Sequence, residues 1–192
     1  MAISETSIAN QALARLGAER LNNIDTDTSV AARHAREHYA QTRDALLRSH
    51  WWRFASARAT LAPDSSDPSF EYDHQYLLPN DFLAMQNMYD DDYPTTDTYV
   101  LEGDKLLTDQ DGVNITYIKK VIDPQKFDAL FVEVLVLQLA VKLVMPLSQD
   151  KALRREVQDE LAGVMARARV LNDQERKKVG SSDRPIWNNA RY

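Results

Sequence analysis

The segment from Phe127 to Met145 constrains the fold more than any other part of the chain. It reads FDALFVEVLVLQLAVKLVM, and its polar interruptions are Asp128, Glu133, Gln138 and Lys142. A helix that is apolar on nearly every face belongs at the centre of a bundle. A membrane span needs about 20 apolar residues with few or no charges, so the polar residues favour a core helix instead. We expect Asp123-Pro124 to start this helix and Pro146 to end or bend it.

Apolar residues at helical spacing predict three further helices. Ser4 is a candidate cap for the first helix, and Gly17 is placed as its stop. The second helix reaches the aromatic cluster His50-Trp51-Trp52-Arg53-Phe54, and residues 55–62 continue it or trail off. A polar linker follows at 63–68. Asp27 or Ser29 is a candidate cap for the second helix, and Ser148 for the last. The expected helices run over residues 4–17, from 27 or 29 to about 54, and from about 148 to about 178.

The apolar period then changes from helical to alternating, which is typical of β-strands. Residues 99–101 and 105–107 flank Glu102-Gly103-Asp104 and predict a hairpin, and residues 113–117 alternate strictly. We therefore predict a mainly α fold: an antiparallel bundle of about four helices with a small antiparallel β insert and an extended C-terminal tail. The expected domains are 1–65 (bundle, first part), 66–121 (acidic β insert), 122–178 (bundle, second part) and 179–192 (tail).

Charge is unevenly distributed along the chain, whose net charge is -6 at pH 7. Residues 64–111 contain 13 Asp and Glu and one basic residue, Lys105, whereas the rest contains 22 basic and 16 acidic residues. The middle is therefore about -12 and the flanks about +6. This pattern indicates either an ordinary solvated face or a polarised molecule that presents different faces to different partners.

Composition excludes several kinds of chemistry. The chain has no cysteine, which excludes a disulfide framework, thiol catalysis and zinc–thiolate sites. It has five glycines and no phosphate-binding glycine loop, and we expect no cofactor. The N-terminal MAISETSIANQ lacks the basic stretch and apolar run of a signal peptide, so we expect synthesis in a cytoplasm.

His34-Ala35-Arg36-Glu37-His38 matches H-x-x-E-H, the helix motif of inverzincin peptidases. The two histidines are four residues apart, so both could reach one zinc ion. A working site needs a third ligand from another helix, and the sequence singles none out. We therefore expect no metal here and interpret both histidines as flanking the core stripe of a bundle helix.

The aromatic cluster has two interpretations. Trp51, Trp52 and Phe54 could stack on bases, with Arg48, Arg53 and Arg58 nearby. Nucleic-acid binding usually needs a basic face without adjoining acidic residues. We therefore favour an aromatic core at the junction of helix and insert over a small DNA-binding module.

The tail, residues 179–192, is polar and has no periodicity. Trp187 and Tyr192 are residue types that dominate binding energies at interfaces, and Arg184 and Arg191 can pair with carboxylates. We expect the tail to cross to another chain, with Trp187 in an apolar pocket, rather than to fold back on its own bundle.

Seven blocks of the sequence, in order, resemble the bacteriophage tail tubular protein A family. They span most of the chain: residues 12–17 (ALARLG), 43–48 (RDALLR) with 50–55 (HWWRFA), 58–62 (RATLA), 76–82 (YLLPNDF), 102–108 (EGDKLLT), 127–131 (FDALF) and 172–175 (NDQE). This family supplies the head-to-tail adaptors of short-tailed phages.

The resemblance implies a structural, non-enzymatic protein of the virion, at the head–tail interface. It implies a ring, commonly of twelve copies, below the portal protein and above the next tail component, the nozzle. It also implies a helical bundle that carries a small β domain, and a tail that reaches a neighbour or the portal. DNA would pass through the ring without specific binding, and an acidic lining would let it slide; no membrane is implied. Some related adaptors are linked to cell-wall hydrolysis, so the alternative is a hydrolase: a zinc peptidase using residues 34–38, or a wall hydrolase in the acidic insert.

Overall fold

The structure is a computed structural model that describes residues 3–90, 93–94 and 98–175. Four α-helices lie in this part of the chain: α1 (Glu5–Arg15), α2 (Val30–Arg48), α3 (Ala129–Leu147) and α4 (Lys151–Gln174). Short 3-10 turns precede the first strand and α3, at Arg53–Ala55 and Pro124–Lys126. The four predicted helices are therefore confirmed, with bounds that differ by a few residues.

Side-chain caps fix where the helices begin. Ser4 caps α1 in a reciprocal capping box with Ser7, as the sequence predicts, and Ser29, one of the two candidates, caps α2. Asp128 and Asp150 cap α3 and α4, so the expected cap at Ser148 is wrong. Each of these side chains accepts backbone N–H groups that the first helical turn leaves without partners.

α3 is the centre of the helical half, and the other three helices pack against it. Its buried residues and those of α1 and α2 form one hydrophobic core, with Phe131, Leu135 and Leu139 fully buried. Among the described residues, α3 is the one helix long and apolar enough to cross a bilayer, with a mean hydropathy of 2.1. In this fold 56% of that window is buried inside the protein, as expected for a core helix.

Seven short strands form two antiparallel sheets within the described residues. They are β1 (Ser56–Thr60), β2 (His74–Leu77), β3 (Phe82–Asp90), β4 (Tyr93–Pro94), β5 (Tyr99–Glu102), β6 (Lys105–Thr108) and β7 (Asn114–Lys119). The first sheet has the order β1-β7-β3-β4 and the second has the order β2-β6-β5. The predicted hairpin is confirmed as β5–β6, and Gly103 takes φ 61° at the first turn position, as a type II′ turn requires.

β7 connects the two halves because both of its faces are buried. Ile115 and Tyr117 lie in a second hydrophobic cluster between the sheets, together with Tyr76 and Leu106. Ile118, on the opposite face, lies in the helical core. This strand reads as alternating in sequence, but its burial is that of a central strand covered on both sides.

The predicted fold class, mainly α with a small β insert, is wrong. The described part of the chain is mixed α/β, with 48% of its residues in helices and 20% in strands. One strand lies outside the predicted insert: Ser56–Thr60, where the sequence suggested that the second helix either continues or trails off. It pairs with β7 from Ser56↔Ile118 to Thr60↔Asn114 and so becomes the outer strand of the first sheet. This strand also precedes residue 66, where the sequence analysis placed the start of the β region.

Candidate functional site

Two segments more than a hundred residues apart meet at the C-terminal end of α4. The backbone N–H of Arg53 donates to Asn172 Oδ1 (3.0 Å), and Arg53 Nε donates to the Asn172 carbonyl oxygen (3.1 Å). Asn172 Nδ2 in turn donates to the carbonyl oxygen of Trp51 (2.9 Å). We call this set, with His50 and Asp173, the junction. It ties the end of α4 to the loop that leads into β1.

An aromatic cluster supports the junction from inside. Trp52 is 1% exposed and donates from Nε1 to the Leu46 carbonyl (2.9 Å), which closes the turn after α2. The Trp52 ring meets the Phe131 ring edge to face, with 5.2 Å between their centroids. The centroid of the Phe54 ring lies 4.9 Å from that of Phe131. The interpretation of these aromatic residues as core is therefore confirmed for Trp52. Trp51 differs, because it is 41% exposed at the surface of the junction.

His50 is the titratable group of the junction with a shifted pKa. Burial lowers the pKa of this imidazole below its ordinary value, and the Asp173 carboxylate at 3.4 Å opposes the shift only in part. Arg169 also lowers it. A neutral ring can accept at Nε2 from Asn172 Nδ2, which lies 3.1 Å away. The junction is thus built around an uncharged histidine at neutral pH.

Two small cavities flank Arg53. One, of about 120 Å³, is lined by Trp51, Arg53, Ser56, Gln86, Asn172 and Asp173. The other, of about 70 Å³, lies against Phe54 and Leu171. Pockets that hold a small-molecule ligand are typically about 300 Å³ or more. These cavities have room for single side chains of a partner rather than for a cofactor.

The predicted partner-binding residues Arg184, Trp187, Arg191 and Tyr192 lie outside the described residues. The structure does show where the chain departs toward them: α4 ends at Gln174, directly after the junction. Near that end Val170 and Leu171 are 55% and 42% exposed. The junction therefore fixes the position at which the chain leaves the described fold, and so the starting point of the C-terminal segment, residues 176–192.

The H-x-x-E-H residues lie together on α2 without forming a ligand set. His34 Nδ1 is 3.3 Å from Glu37 Oε2, and both side chains are partly exposed. His38 is half-buried, and its carbonyl oxygen accepts from Thr42 Oγ1. In the described part of the chain, no group of three or more His, Cys, Asp and Glu side chains could hold a metal ion. The absence of zinc remains a prediction for measurement.

Two open grooves lie away from the junction. One, of about 330 Å³, is lined by Arg58, Ala59, Thr60, Tyr89, Asn114, Ile115 and Thr116 on the first sheet. The other, of about 370 Å³, lies between α1 and α3, and its one carboxylate, Glu133, pairs with Arg167 at 2.9 Å. Neither groove presents the two carboxylates that glycoside hydrolysis uses.

Sequence reasoning found both halves of the junction but not their contact. His50–Ala55 and Asn172–Glu175 each belong to the resemblance, yet neither has a local signal that predicts the other as its partner. It also missed the cluster of charges around Asp44, which accepts from buried Arg43 (2.8 Å) and pairs with Lys120 (3.0 Å). Lys120 follows β7 directly, so this ion pair joins α2 to the β half. An isolated Arg-Asp pair in a helix gives no signal of such a role.

A scan of the sequence against protein-family models finds no matching family, and a search of curated proteins finds no match. The junction, the charges and the sequence blocks are therefore what bears on function.

Proposed function

We propose that this protein is the head-to-tail connector of a short-tailed bacteriophage. It forms a ring, of twelve copies in the form that the resemblance implies, between the portal protein and the nozzle. DNA passes through the ring during ejection and is not bound specifically. The protein acts in the virion and is made in the host cytoplasm, with no cofactor, no membrane and no catalytic role.

The junction is the observation that carries this proposal. The resemblance rests on short blocks scattered along the chain, and two of them, His50–Ala55 and Asn172–Glu175, contact one another through Arg53 and Asn172. A third block, Phe127–Phe131, supplies the aromatic rings beneath them. Blocks that share one structural unit are better support for a common architecture than isolated matches. The unit also anchors the segment that a connector would use to reach another chain.

The charge distribution supports the same proposal. Seven acidic residues of the β half are exposed among those described: Asp67, Glu71, Asp73, Glu102, Asp104, Asp109 and Asp111. An acidic channel wall repels phosphates, so DNA could slide along it without being held. The excess of positive charge is concentrated elsewhere: residues 176–192 carry five basic residues and one acidic residue. Four of the six excess positive charges outside 64–111 thus belong to the C-terminal segment.

The decisive experiment measures the mass of the purified protein alone and after mixing with its portal, by native mass spectrometry and electron microscopy. We expect a symmetric ring on the portal, because contacts between unlike faces close into rings. We also expect weaker assembly at high salt, since exposed charges are screened over about 10 Å at 0.1 M salt. A strict monomer that ignores portal particles at low salt would contradict the proposal.

The hydrolase alternative has no specific observation in its favour within the described residues. Glu37 pairs with His34, and the grooves lack paired carboxylates. Incubation with purified cell wall, compared with a known wall hydrolase, separates the two proposals directly. Release of soluble fragments by this protein would support the alternative.

A further inference from the structure

The second sheet ends in a strand that is apolar and has no described neighbour on its outer side. β5 pairs with β6 along one edge, and no described strand pairs along the other. Tyr99, Val100 and Leu101 are 38%, 36% and 40% exposed. We call these three residues the β5 edge. An exposed apolar edge strand is a template for strand addition, and proteins usually blunt it with lysine, proline or a bulge.

Acidic side chains surround this edge at both ends of the strand. At the turn, Glu102 and Asp104 are exposed. At the other end, Asp73 and Asp109 lie next to each other, since the backbone N–H of Asp73 donates to Asp109 Oδ1 (3.1 Å). Lys105 is the one Lys or Arg among residues 64–111, and it is already paired with Asp64. The β5 edge is therefore an apolar strip with a negatively charged rim.

We propose that the β5 edge binds the C-terminal segment 176–192 of a neighbouring copy, as an added strand. This inference rests on the proposed ring. The segment has the complementary chemistry: five basic residues for the acidic rim, and Ile186, Trp187 and Tyr192 for the apolar strip. In strand addition the backbone hydrogen bonds give affinity, and alternate side chains give specificity. Opposite charges on the two partners also steer their encounter.

The length of the segment suits a neighbour across a ring interface. Its 17 residues reach about 56 Å when extended, starting from the junction beside β1 in the first sheet. A segment that leaves one copy at the first sheet and binds the second sheet of the next copy makes a heterologous contact. Such a contact repeats around a ring until it closes.

Hairpin geometry identifies which backbone groups are available. In a two-residue hairpin the residues that flank the turn, here Glu102 and Lys105, exchange backbone hydrogen bonds, and pairs then alternate along the ladder. Val100 and Leu107 are then bonded to each other, whereas Leu101 directs its N–H and C=O away from β6. Leu101→Pro therefore removes a donor from the open edge without removing a bond from the β5–β6 ladder.

The test titrates a dye-labelled peptide of residues 176–192 into the full-length protein and follows fluorescence anisotropy. We expect saturable binding that weakens with salt. Glu102→Lys with Asp104→Lys should reduce the affinity roughly three- to tenfold, the effect expected for a few exposed charge pairs. The matched control is Glu156→Lys with Asp159→Lys on the exposed side of α4, which changes the net charge equally. Equal loss in both variants would show attraction to net charge alone and overturn the proposal.

Leu101→Pro tests the strand itself. We expect loss of peptide binding while circular dichroism and the unfolding midpoint stay close to those of the parent protein. Unchanged binding would exclude strand addition at this edge. If the variant fails to fold, the charge-reversal comparison still decides the matter.

Cysteine cross-linking identifies the chain that occupies the edge, because the protein has no native cysteine. Copies with Val100→Cys are mixed with copies carrying Ser182→Cys, Ile186→Cys or Asn189→Cys, and Val170→Cys replaces Val100→Cys as the exposed apolar control. We expect a disulfide-linked dimer with Val100→Cys only. A disulfide confined to one chain, in a protein carrying both cysteines, would overturn the neighbour as occupant.

These outcomes separate the inference from the function on which it rests. Rings on portals without peptide binding would leave the connector intact and refute the β5 edge. Peptide binding without attachment to portals would support binding at the β5 edge and contradict the connector function.

Discussion

Arg53 donates two hydrogen bonds to Asn172, one from its backbone N–H and one from its side chain, although 119 positions separate the residues. The backbone of Arg53 opens the 3-10 turn before β1, and Asn172 lies in the last turn of α4. This contact joins α4 to the entry of the first sheet, together with the bonds of Asn172 to Trp51 and His50. A substitution at this contact is therefore the first test of whether the junction fixes the end of α4, from which the C-terminal segment leaves.

We predict that Asn172→Ala destabilises the end of α4. The change removes the side-chain bonds to Arg53, Trp51 and His50. Because a net hydrogen bond is worth about 1 kcal/mol and these groups are partly solvated, we expect a loss of about 1 to 2 kcal/mol in urea unfolding. Amide exchange should rise first in the last turns of α4. Gln174→Ala, at an exposed position in the same turn, is the control, and an equal effect there would contradict the role of Asn172.

We predict that His50 makes stability depend on pH in the weakly acidic range. Burial lowers the pKa of His50 in the folded protein below its ordinary value of 6.5. The folded state then binds fewer protons than the unfolded state, so stability is present above pH 6.5 and is lost as pH falls through the folded pKa. Chemical unfolding at pH 5 and pH 8 measures the difference. His50→Gln should show a smaller difference in unfolding free energy between the two pH values. An unchanged difference would assign the pH dependence to other groups.

We predict that His34 and His38 bind no catalytic metal. His34 is engaged with Glu37, and no third ligand is near them among the described residues. Replacing both histidines by glutamine should leave stability and ring assembly largely unchanged, since both lie beside the buried stripe of α2. Elemental analysis provides the check: stoichiometric zinc that disappears in the double variant would establish a metal site.

We predict that truncation after Lys178 leaves a folded monomer that no longer attaches to the portal or to its neighbours. Both hydrophobic cores are formed by residues within the described part of the chain, so thermal unfolding should change little. Trp187→Ala in the full chain should weaken attachment without changing thermal unfolding. Normal attachment of the truncated protein, or its unfolding as a monomer, would show that residues 179–192 are not the docking element.

Periodicity predicted the elements whose stability is largely local. α1, α2 and α4 carry apolar stripes and α3 is apolar on nearly every face; the caps of α1 and α2 are Ser4, as predicted, and Ser29, one of two candidates. The β5–β6 hairpin is equally predictable from the sequence, because Gly103 and the flanking apolar residues specify its turn and register. In such segments the local preference and the final environment agree.

The rest depends on contacts between distant segments. Ser56–Thr60 has the sequence SARAT, without the β-branched run typical of strands, and it becomes a strand because β7 offers a pairing edge. That tertiary context overrides the local preference. The junction is harder still to predict: nothing in the sequence around Trp51 or Asn172 specifies the other segment. The predicted fold class was wrong partly for this reason, since β1 adds a strand before the expected insert and the strands form two sheets rather than one small insert.

β7 places adjacent residues in different cores, with Tyr117 between the sheets and Ile118 against the helices. Because the two halves share this strand, a disturbance in either half reaches the other without crossing a flexible linker. The two halves should therefore melt together in a single calorimetric transition. In the connector that we propose, a force applied to the helices would pass to the sheets through this shared strand, without a hinge between them.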